Sequence, residues 1–212
     1  MEKRRFIFDL DGTLINTDYT KEQEYFKKCL GEEQAEKFVP NIFPMLLKYE
    51  SSHEKYEIRK LSEFLSKESK IEITDEIIIG WREIISKFPP NVSDGVIETL
   101  EYLKRKNKDI VVLTNWFGWE QTERLKKAQL LRYISKIYSG EEYLKPNKNS
   151  YINACGRYSI NECIMIGDTL DKDVIAPNNI GLDSIYYNQN EKEIPKIKVK
   201  TINNMKQLKE MF

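Results

Sequence analysis

Cysteine and histidine are scarce in this chain. Its 212 residues include three cysteines, Cys29, Cys155 and Cys163, which are widely spaced and form no Cys-x-x-Cys pair. This usage argues against a disulfide framework and against a zinc site, so Cys155 and Cys163 are most simply core residues. The single histidine, His53, lies among serine and glutamate residues and is most simply exposed on a helix or linker.

Long apolar runs are absent as well. No stretch approaches the ~18 apolar residues of a membrane-spanning helix. The first apolar run, which ends at Asp9, is too short for a signal peptide. We therefore expect a soluble, cytoplasmic protein that has no membrane partner.

Neither sign of charge is in excess. Lys plus Arg and Asp plus Glu each total 34, so no global field draws the chain to a nucleic-acid polymer. Hydrophobic residues make up 40% and charged residues 32%, which supplies a substantial core and argues against disorder. The length suits one large domain or a core with a smaller insert. We expect a monomer or a weak dimer.

Residues 6–13 carry the strongest local signal. A short apolar run stops at Asp9 and Asp11, spaced i and i+2, and Gly12 and Thr13 follow at once. Residues i and i+2 of a strand project to the same side, and two like charges held that close need a cation or a shared proton. Glycine lets the backbone turn tightly, with its N–H groups facing an anion. The plain alternative is a surface strand that ends in an acidic turn.

The next segment, about residues 15–91, has helical character. It is rich in Glu, Lys and Tyr, and Thr74 is a candidate N-terminal cap for its last helix. We therefore predict an inserted helical domain at 15–91, while residues 1–14 and 92–212 form the core domain. Its apolar residues recur at helical spacing in four stripes, within residues 25–30, 43–49, 58–65 and 77–88.

After Pro90 strands and helices alternate, which predicts an α/β fold with a parallel, Rossmann-like sheet between helices. The predicted strands are residues 4–9, 109–113, 136–139, 163–166, 184–187 and 199–202. The predicted helices of this part are residues 93–106, 120–131, 147–157, 172–179 and 205–212.

Three of the predicted strands end in side chains able to handle a phosphate. Ligands of an open parallel sheet bind beyond the carboxyl ends of its strands, so these groups should converge there. Asp9, Asp168 and backbone or water oxygens form the hard oxygen shell that Mg²⁺ prefers, and Lys145 and Thr114 would hold phosphate oxygens. The groups are Asp9 and Asp11, Thr114 and Asn115, and Gly167 and Asp168, with Lys145 and Pro146 just before a predicted helix.

Together these motifs resemble those of the haloacid dehalogenase-like (HAD) hydrolase superfamily. All four motifs occur in order over most of the chain; each alone is a weak signal, and jointly they are strong. They stand here as Asp9-Leu10-Asp11-Gly12-Thr13, Thr114-Asn115, Lys145-Pro146 and Gly167-Asp168-Thr169-Leu170-Asp171-Lys172-Asp173.

The resemblance implies a role for each carboxylate of the first motif. Asp9 would attack phosphorus and form an aspartyl-phosphate. Asp11 would protonate the leaving oxygen and then activate water. Asp9, the backbone carbonyl of Asp11, and Asp168 would hold Mg²⁺, which is the implied cofactor.

The other motif residues are implied to support the phosphoryl group or the metal. Thr114 and Lys145 would bind phosphoryl oxygens, with Asn115 assisting. Asp173 would contact a metal-bound water or lie just outside the metal's ligands, whereas Asp171 is more simply a helix N-cap.

Asp11 and the inserted helical domain indicate which branch of the superfamily this chain resembles. A leaving alkoxide needs a proton, so an acid at this position favours phosphate esters over halides. The insert resembles the cap domain of the branch with phosphoglycolate phosphatases, β-phosphoglucomutases and nucleotidase-like members, and such caps exclude water and contact the leaving group. The resemblance implies a Mg²⁺-dependent phosphatase for a small phosphorylated substrate: a sugar phosphate, a nucleotide or phosphoglycolate. A phosphomutase, or a catalytically weak binding protein on this scaffold, is the alternative.

Two positions depart from the family pattern. Asn16 stands where many relatives carry an acidic residue, and Trp116 follows Asn115 where a small residue is common. Trp116 and Phe117 would present an aromatic wall to the cap, which suits stacking on a base or sugar of the substrate. The alternative is that this loop packs against the cap.

Overall fold

A parallel sheet forms the centre of the computed structural model, which describes residues 2–16, 20–89, 91–191 and 199–212. Within those residues the sheet has six strands in the order β5-β4-β1-β6-β7-β8, and every neighbouring pair runs parallel. The predicted α/β fold is thereby confirmed. The strands are β1 (Arg5–Phe8), β2 (Ile15–Asn16), β3 (Asn91–Val92), β4 (Asp109–Leu113), β5 (Lys136–Tyr138), β6 (Cys163–Gly167), β7 (Asp183–Tyr187) and β8 (Lys200–Ile202).

Helices connect the parallel strands and cover both faces of the sheet, because a parallel pair cannot be joined by a tight hairpin. None of the helices in the described ranges has the length and apolarity needed to cross a bilayer. The helices are α1 (Thr20–Leu30), α2 (Glu32–Phe38), α3 (Ile42–Ser52), α4 (Ile58–Ser69), α5 (Asp75–Ser86), α6 (Val96–Arg105), α7 (Gly118–Lys127), α8 (Lys148–Cys155), α9 (Ala176–Asn179) and α10 (Leu208–Met211).

The apolar core lies on both faces of the sheet. Successive side chains of a strand point to opposite faces, so Phe6 and Phe8 of β1 enter one cluster and Ile7 enters another. Residues of α6, α7 and α10 complete the first cluster, and residues of α8 pack in the second. β1 is therefore buried along its whole length, which explains why its last three residues are all apolar.

Five α-helices, α1 to α5, lie between β2 and β3, where four were predicted. The additional helix is α2, a short element that follows Gly31, whose φ is +80°. The five helices share an apolar cluster in which Phe26 contacts Phe38 and Trp81 edge-on, with ring centroids 5.0 and 5.3 Å apart. Thr74 caps α5 by accepting a hydrogen bond from the backbone N–H of Ile77.

The helices α1 to α5 form the helical segment, and its two ends are joined by a small antiparallel ribbon that was not predicted. β2 and β3 pair Ile15 with Val92 and Asn16 with Asn91. The side chain of Asn16 also donates to Ser93 Oγ at 3.2 Å. Strands of two residues show no periodicity, so the sequence pattern cannot reveal them.

The chain after β6 differs from the predicted helix at 172–179. A π-helical turn spans Leu170–Ile175, and the short helix α9 follows it. Pro177 lacks the N–H that a regular helix would direct to the carbonyl of Asp173, so the ordinary hydrogen-bond ladder cannot run through this point. Such wide turns occur often at functional sites.

Candidate active site

The three strands at the middle of the sheet deliver the predicted carboxylates and hydroxyl to one edge. β1 lies between β4 and β6, and Asp9, Thr114 and Asp168 directly follow these three strands. From β1 the chain passes to β4 and β5 on one side, and it then returns to β6, β7 and β8 on the other side. This reversal makes the edge beside β1 the crevice where open α/β sheets bind ligands. The expected convergence therefore occurs at the carboxyl edge of β1.

Lys145 ties two of the carboxylates together. Its Nζ donates to Asp9 Oδ1 and to Asp173 Oδ1, each at 2.7 Å, and all three side chains are buried. Asp173 Oδ2 also accepts from the backbone N–H of Thr169 at 3.0 Å. Asp173 thus fixes both the lysine and the turn after β6.

The cluster carries more negative than positive charge. Burial raises the pKa of Asp9, Lys145 opposes the shift, and the carboxylates of Asp173 and Asp168 add to it, so that the pKa lies at about 8. Burial would lower the pKa of Lys145, but Asp173 and Asp9 outweigh it and the pKa is raised. The ammonium group is therefore charged at any ordinary pH, and the carboxylates still exceed it.

An oxygen-binding cation fits this excess charge. Asp9, Asp168 and Asp173 each offer a carboxylate oxygen, and these oxygens lie within 4.8 Å of one another. Carboxylate oxygens with no nitrogen or sulfur donor match the preference of Mg²⁺. Asp9 and Asp168 are the better placed pair, because both line the cavity at this edge, whereas Asp173 is fully buried and both of its oxygens accept hydrogen bonds, from Lys145 and from the N–H of Thr169.

Gly12 allows the turn after β1 to lie against Asp168. Its φ is +78°, a conformation that side chains rarely adopt, and a Cβ atom there would approach Asp168 Oδ2 to 2.4 Å. The turn is closed by the backbone N–H of Gly12, which donates to the carbonyl of Ile15 at 2.9 Å. The glycine therefore brings the first and fourth motifs into contact.

Two residues of α7 that were not predicted hold Asp11. Arg124 Nη2 donates to Asp11 Oδ1 at 2.5 Å, and Gln121 Nε2 donates to Asp11 Oδ2 at 3.2 Å. Gln121 Nε2 also donates to Thr114 Oγ1 at 3.1 Å, and Arg124 donates to Gln121 Oε1 at 2.7 Å. A network from α7 thus orients the carboxylate plane of Asp11 and links it to Thr114.

Asn115 contacts the backbone of Lys145. Its Nδ2 donates to the carbonyl of Lys145 at 2.8 Å, and its Oδ1 accepts from the N–H of Lys145 at 2.7 Å. Both ends of the carboxamide are therefore committed to the chain. Asn115 thus positions Lys145, and its part in phosphate binding stays a prediction.

Trp116 packs against the helical segment and also lines the cavity between that segment and the sheet edge. It is 6% exposed and meets Trp81 and Tyr56 in edge-on contacts, with ring centroids 4.9 and 5.4 Å apart. Phe117 is buried beneath the guanidinium of Arg82, whose Cζ lies 4.1 Å from the ring centroid. This geometry matches the alternative in which the loop packs against the helical segment.

A cavity of about 660 Å³ lies between the sheet edge and the helical segment. Asp9, Asp11, Thr114, Lys145 and Asp168 line its sheet side. The helical segment contributes apolar side chains and two carboxylates to its other walls: Glu22, Val39, Ile42, Phe43, Leu46, Leu47, Glu50, Tyr56, Trp81 and Ile85.

The two carboxylates from the helical segment have different partners. Glu50 pairs with Lys172 of the π-helical turn and accepts from the hydroxyl of Tyr56 at 2.8 Å. Glu22 Oε1 accepts from the indole Nε1 of Trp81 at 2.6 Å. Burial raises the pKa of Glu22 to about 7.

The geometry agrees with the comparison of the sequence with family models. The model of the haloacid dehalogenase-like hydrolases matches residues 6–187, which is most of the chain. This chain belongs to the haloacid dehalogenase-like hydrolase family. The resemblance noted from the motifs is confirmed.

Curated relatives match only part of this HAD-like chain. Pyrimidine 5'-nucleotidase PynA of Streptococcus pneumoniae is 30% identical over 104 residues, covering 47% of this chain and 44% of PynA. Pyrimidine 5'-nucleotidase YjjG of Escherichia coli is 27% identical over 128 residues, covering 58% of this chain and 54% of YjjG. The chain thus spans about half the length of the curated relatives it matches.

Solved structures share the whole fold. The HAD hydrolase YfnB from Bacillus subtilis, described as bound to magnesium, superposes with a TM-score of 0.73. The match covers 100% of this chain and 99% of YfnB, at 18% sequence identity. The sheet and its inserted helices are therefore a known HAD-like arrangement.

Proposed function

We propose that the protein is a Mg²⁺-dependent phosphatase that hydrolyses a small phosphate monoester through a phosphorylated Asp9. The observation that carries this proposal is the convergence of Asp9, Asp11, Thr114, Lys145 and Asp168 on one cavity. Each group has a distinct use in phosphoryl transfer: a nucleophile, a proton carrier, donors to phosphate oxygens and ligands for a cation.

The residues present fit a magnesium ion. Asp9, Asp168 and the backbone carbonyl of Asp11 would hold it. When bound, the ion would cancel the repulsion between a carboxylate nucleophile and a dianionic phosphate. The surplus of carboxylates over ammonium groups and the magnesium-bound YfnB structure support this cofactor.

In the proposed first step a carboxylate oxygen of Asp9 attacks phosphorus. The bond from phosphorus to the leaving oxygen breaks, and Asp11 gives its proton to that oxygen. In the second step Asp11 takes a proton from water, whose oxygen attacks phosphorus as the bond to Asp9 breaks. Free phosphate leaves, and both carboxyl groups return to their first state.

Lys145 and Thr114 would stabilise the equatorial oxygens of the transferring group. Lys145 already lies 2.7 Å from Asp9 Oδ1, beside the atom proposed to attack. Thr114 Oγ1 lies on the adjacent strand end and is oriented by Gln121. Asn115 and Asp173 would act on Lys145 by holding its backbone and its ammonium group, respectively.

The helical segment is proposed to act as a cap over this site and to contact the leaving group. α1, α3 and α5 all contribute to the cavity wall. The volume suits a nucleotide or a sugar phosphate, and the two relatives named as pyrimidine 5'-nucleotidases favour a nucleotide. We further propose a cytoplasmic location and a monomer or weak dimer, with no nucleic-acid polymer as partner.

A phosphate-release screen with Mg²⁺ tests the proposal. The panel contains pyrimidine and purine nucleoside monophosphates, sugar phosphates and phosphoglycolate. We expect steady phosphate release from at least one ester and its loss in EDTA. Isomerised sugar phosphate formed with a bisphosphate activator would instead show a phosphomutase, and no turnover of any ester would leave a binding protein.

Arg124→Met is expected to lower kcat about tenfold to a hundredfold, because Asp11 loses the donor that orients it. The loss should be larger for phenyl phosphate than for p-nitrophenyl phosphate, whose more acidic leaving group needs less protonation. Lys126→Met, on the exposed side of the same helix, is the control. Equal losses on both esters would contradict a role through Asp11.

Gly12→Ala is expected to weaken Mg²⁺ activation about tenfold to a hundredfold, since its Cβ would displace Asp168. The Mg²⁺ concentration for half-maximal activity measures this change. Gly31→Ala is a matched control: its φ is +80°, but nothing lies within 4 Å of the added atom. Both variants should lose about 1–3 kcal/mol of stability, because each position has a positive φ that side chains rarely adopt. If both show the same Mg²⁺ response, the contact with Asp168 is irrelevant.

A further inference from the structure

The cations that line the cavity are already used by protein carboxylates. Among the described lining residues these cations are Arg124, Lys145 and Lys172. Arg124 pairs with Asp11 at 2.5 Å, and Lys145 pairs with Asp9 and Asp173 at 2.7 Å. Lys172 pairs with Glu50. A substrate therefore meets no lining cation whose charge is not already matched within the protein.

The helical segment contributes two carboxylates to the cavity, Glu22 and Glu50, and of these Glu22 has no such ion pair among the described residues. It is buried on α1 and makes no ion pair within 4.0 Å among the described residues. Its one described hydrogen bond comes from Trp81, a neutral donor, at 2.6 Å. Glu22, Asp11 and Arg124 line the same cavity, and the charges of Asp11 and Arg124 both act on Glu22, so Glu22 shares this space with the proposed proton carrier.

We propose that the leaving group of the substrate is uncharged, has an apolar face and donates a hydrogen bond to Glu22, as a nucleoside does. This inference rests on the proposed phosphatase function and narrows its substrate class. It excludes phosphoglycolate, phosphorylated hydroxy acids and bisphosphates, whose leaving group carries a second anion.

Two physical reasons disfavour a second anion in this cavity. The anion would lie near the carboxylate of Glu22, and juxtaposed like charges in a desolvated site are strongly unfavourable. It would gain a counter-ion only by drawing Lys172 from Glu50 or Arg124 from Asp11. Glu50 is buried, and a buried charge that loses its partner is costly.

The apolar side chains of the cavity indicate that the leaving group also has an apolar face. α3 contributes four apolar side chains to the cavity, and Phe43 at its rim is 69% exposed. A nucleobase can cover such a surface while its hydroxyl or N–H groups reach a carboxylate. A small acid such as glycolate has no apolar face to offer. The charge and shape of the cavity therefore point to the same class.

Matched esters test the proposal with the full chain and Mg²⁺ at pH 8.5, above the pKa of about 7 to which burial raises Glu22, so that its carboxylate is charged. Uridine 5'-monophosphate is compared with orotidine 5'-monophosphate, which adds one carboxylate to the base. Glycerol 3-phosphate is compared with 3-phosphoglycerate, which replaces an alcohol by a carboxylate. We expect kcat/KM for the neutral member to exceed that for the acid about a hundredfold in each pair.

Glu22→Gln keeps the size and an acceptor for Trp81 but removes the charge. It should reduce the neutral-to-acid ratio of kcat/KM at least about tenfold, chiefly through a lower KM for the acids. Glu24→Gln, an exposed position on the same helix, should leave the ratio unchanged. Thermal unfolding of both variants confirms that they fold.

Each outcome decides the inference. If the wild-type protein hydrolyses the acids as fast as their neutral partners, or if Glu22→Gln leaves the ratio unchanged, the inference is wrong while the phosphatase function stands. If the wild-type protein hydrolyses no ester at all, the phosphatase function itself fails and the inference fails with it.

Discussion

Asp9→Asn is expected to abolish phosphate release, with kcat reduced ~10³-fold or more, while the protein still folds. An amide oxygen is a poor nucleophile toward phosphorus, and the substitution also removes one of the two carboxylates best placed to hold Mg²⁺. No other carboxylate takes its place directly, because Asp173 is fully buried and held by Lys145 and Thr169.

The same substitution should have little effect on the stability of the metal-free protein. Burial and neighbouring carboxylates raise the pKa of Asp9 to about 8, so a neutral side chain is already tolerated there near neutral pH. Lys145 keeps its ion pair with Asp173 when Asp9 is replaced. The increase in melting temperature on adding Mg²⁺ should shrink, because a ligand that binds only the folded state stabilises it by RT ln(1 + c/Kd), where c is the free ligand concentration, and this free energy falls as the affinity falls.

Asp171→Asn is the matched control for this experiment. Asp171 lies in the motif after β6 and is exposed, and its removal should leave both turnover and the Mg²⁺-induced shift in place. Phosphate release and thermal unfolding, each with and without Mg²⁺, make the comparison. A normal rate for Asp9→Asn would show that another group attacks phosphorus.

The sheet was predictable because its strands are short, apolar and buried on both faces. The run that ends at Asp9 and the run of β4 each pack between helices, so their sequence contains little besides apolar residues. Polar residues that directly follow such runs lie at the carboxyl ends of the strands, and in a parallel sheet these ends share one edge. That restriction is why four weak motifs together predicted the convergence of these side chains at one edge of the sheet.

Contacts between distant elements were not predictable in the same way. The pattern of α7 is that of an amphipathic helix with polar residues toward solvent, yet Gln121, Arg124 and Glu120 are buried. Their partners are Asp11, Thr114 and Arg82, which are remote in sequence. Periodicity reports which residues share a face, and it cannot report that the face meets a polar site.

Asn115 and Trp116 show the same limit at neighbouring positions. Both follow β4 at the site; Asn115 was predicted to assist in phosphate binding, and Trp116 either to stack on the substrate or to pack against the cap. The structure also engages Asn115 with the backbone of Lys145 and packs Trp116 against Trp81 and Tyr56. Position at a strand end indicates proximity to a ligand, whereas the identity of the partner depends on the loops that complete the site.

Lys145→Met is expected to lose nearly all activity and to destabilise the metal-free protein by about 3–5 kcal/mol. The substitution leaves Asp9 and Asp173 buried without their shared ammonium group, and breaking a buried pair by removing one partner has this order of cost. Loss of a donor to the phosphoryl oxygens lowers the rate independently of stability.

The destabilisation should depend on pH, with a definite sign. The pKa of Asp9 is raised above its unfolded value, so its contribution to stability is present at low pH and is lost as the pH rises through about 8. Removing Lys145 takes away the cation that opposes this shift, and the pKa of Asp9 should rise further. The variant should therefore be closer to the wild type in stability at pH 6 than at pH 8.5.

Urea unfolding at the two pH values, with EDTA or with Mg²⁺, measures these effects. Mg²⁺ should restore more stability to Lys145→Met than to the wild type, since the ion supplies positive charge to the same carboxylates. Lys148→Met removes an exposed lysine at the start of α8 and should change neither quantity. Equal destabilisation at both pH values would mean that Lys145 contributes packing rather than charge. A variant insensitive to Mg²⁺ would place the metal away from Asp9.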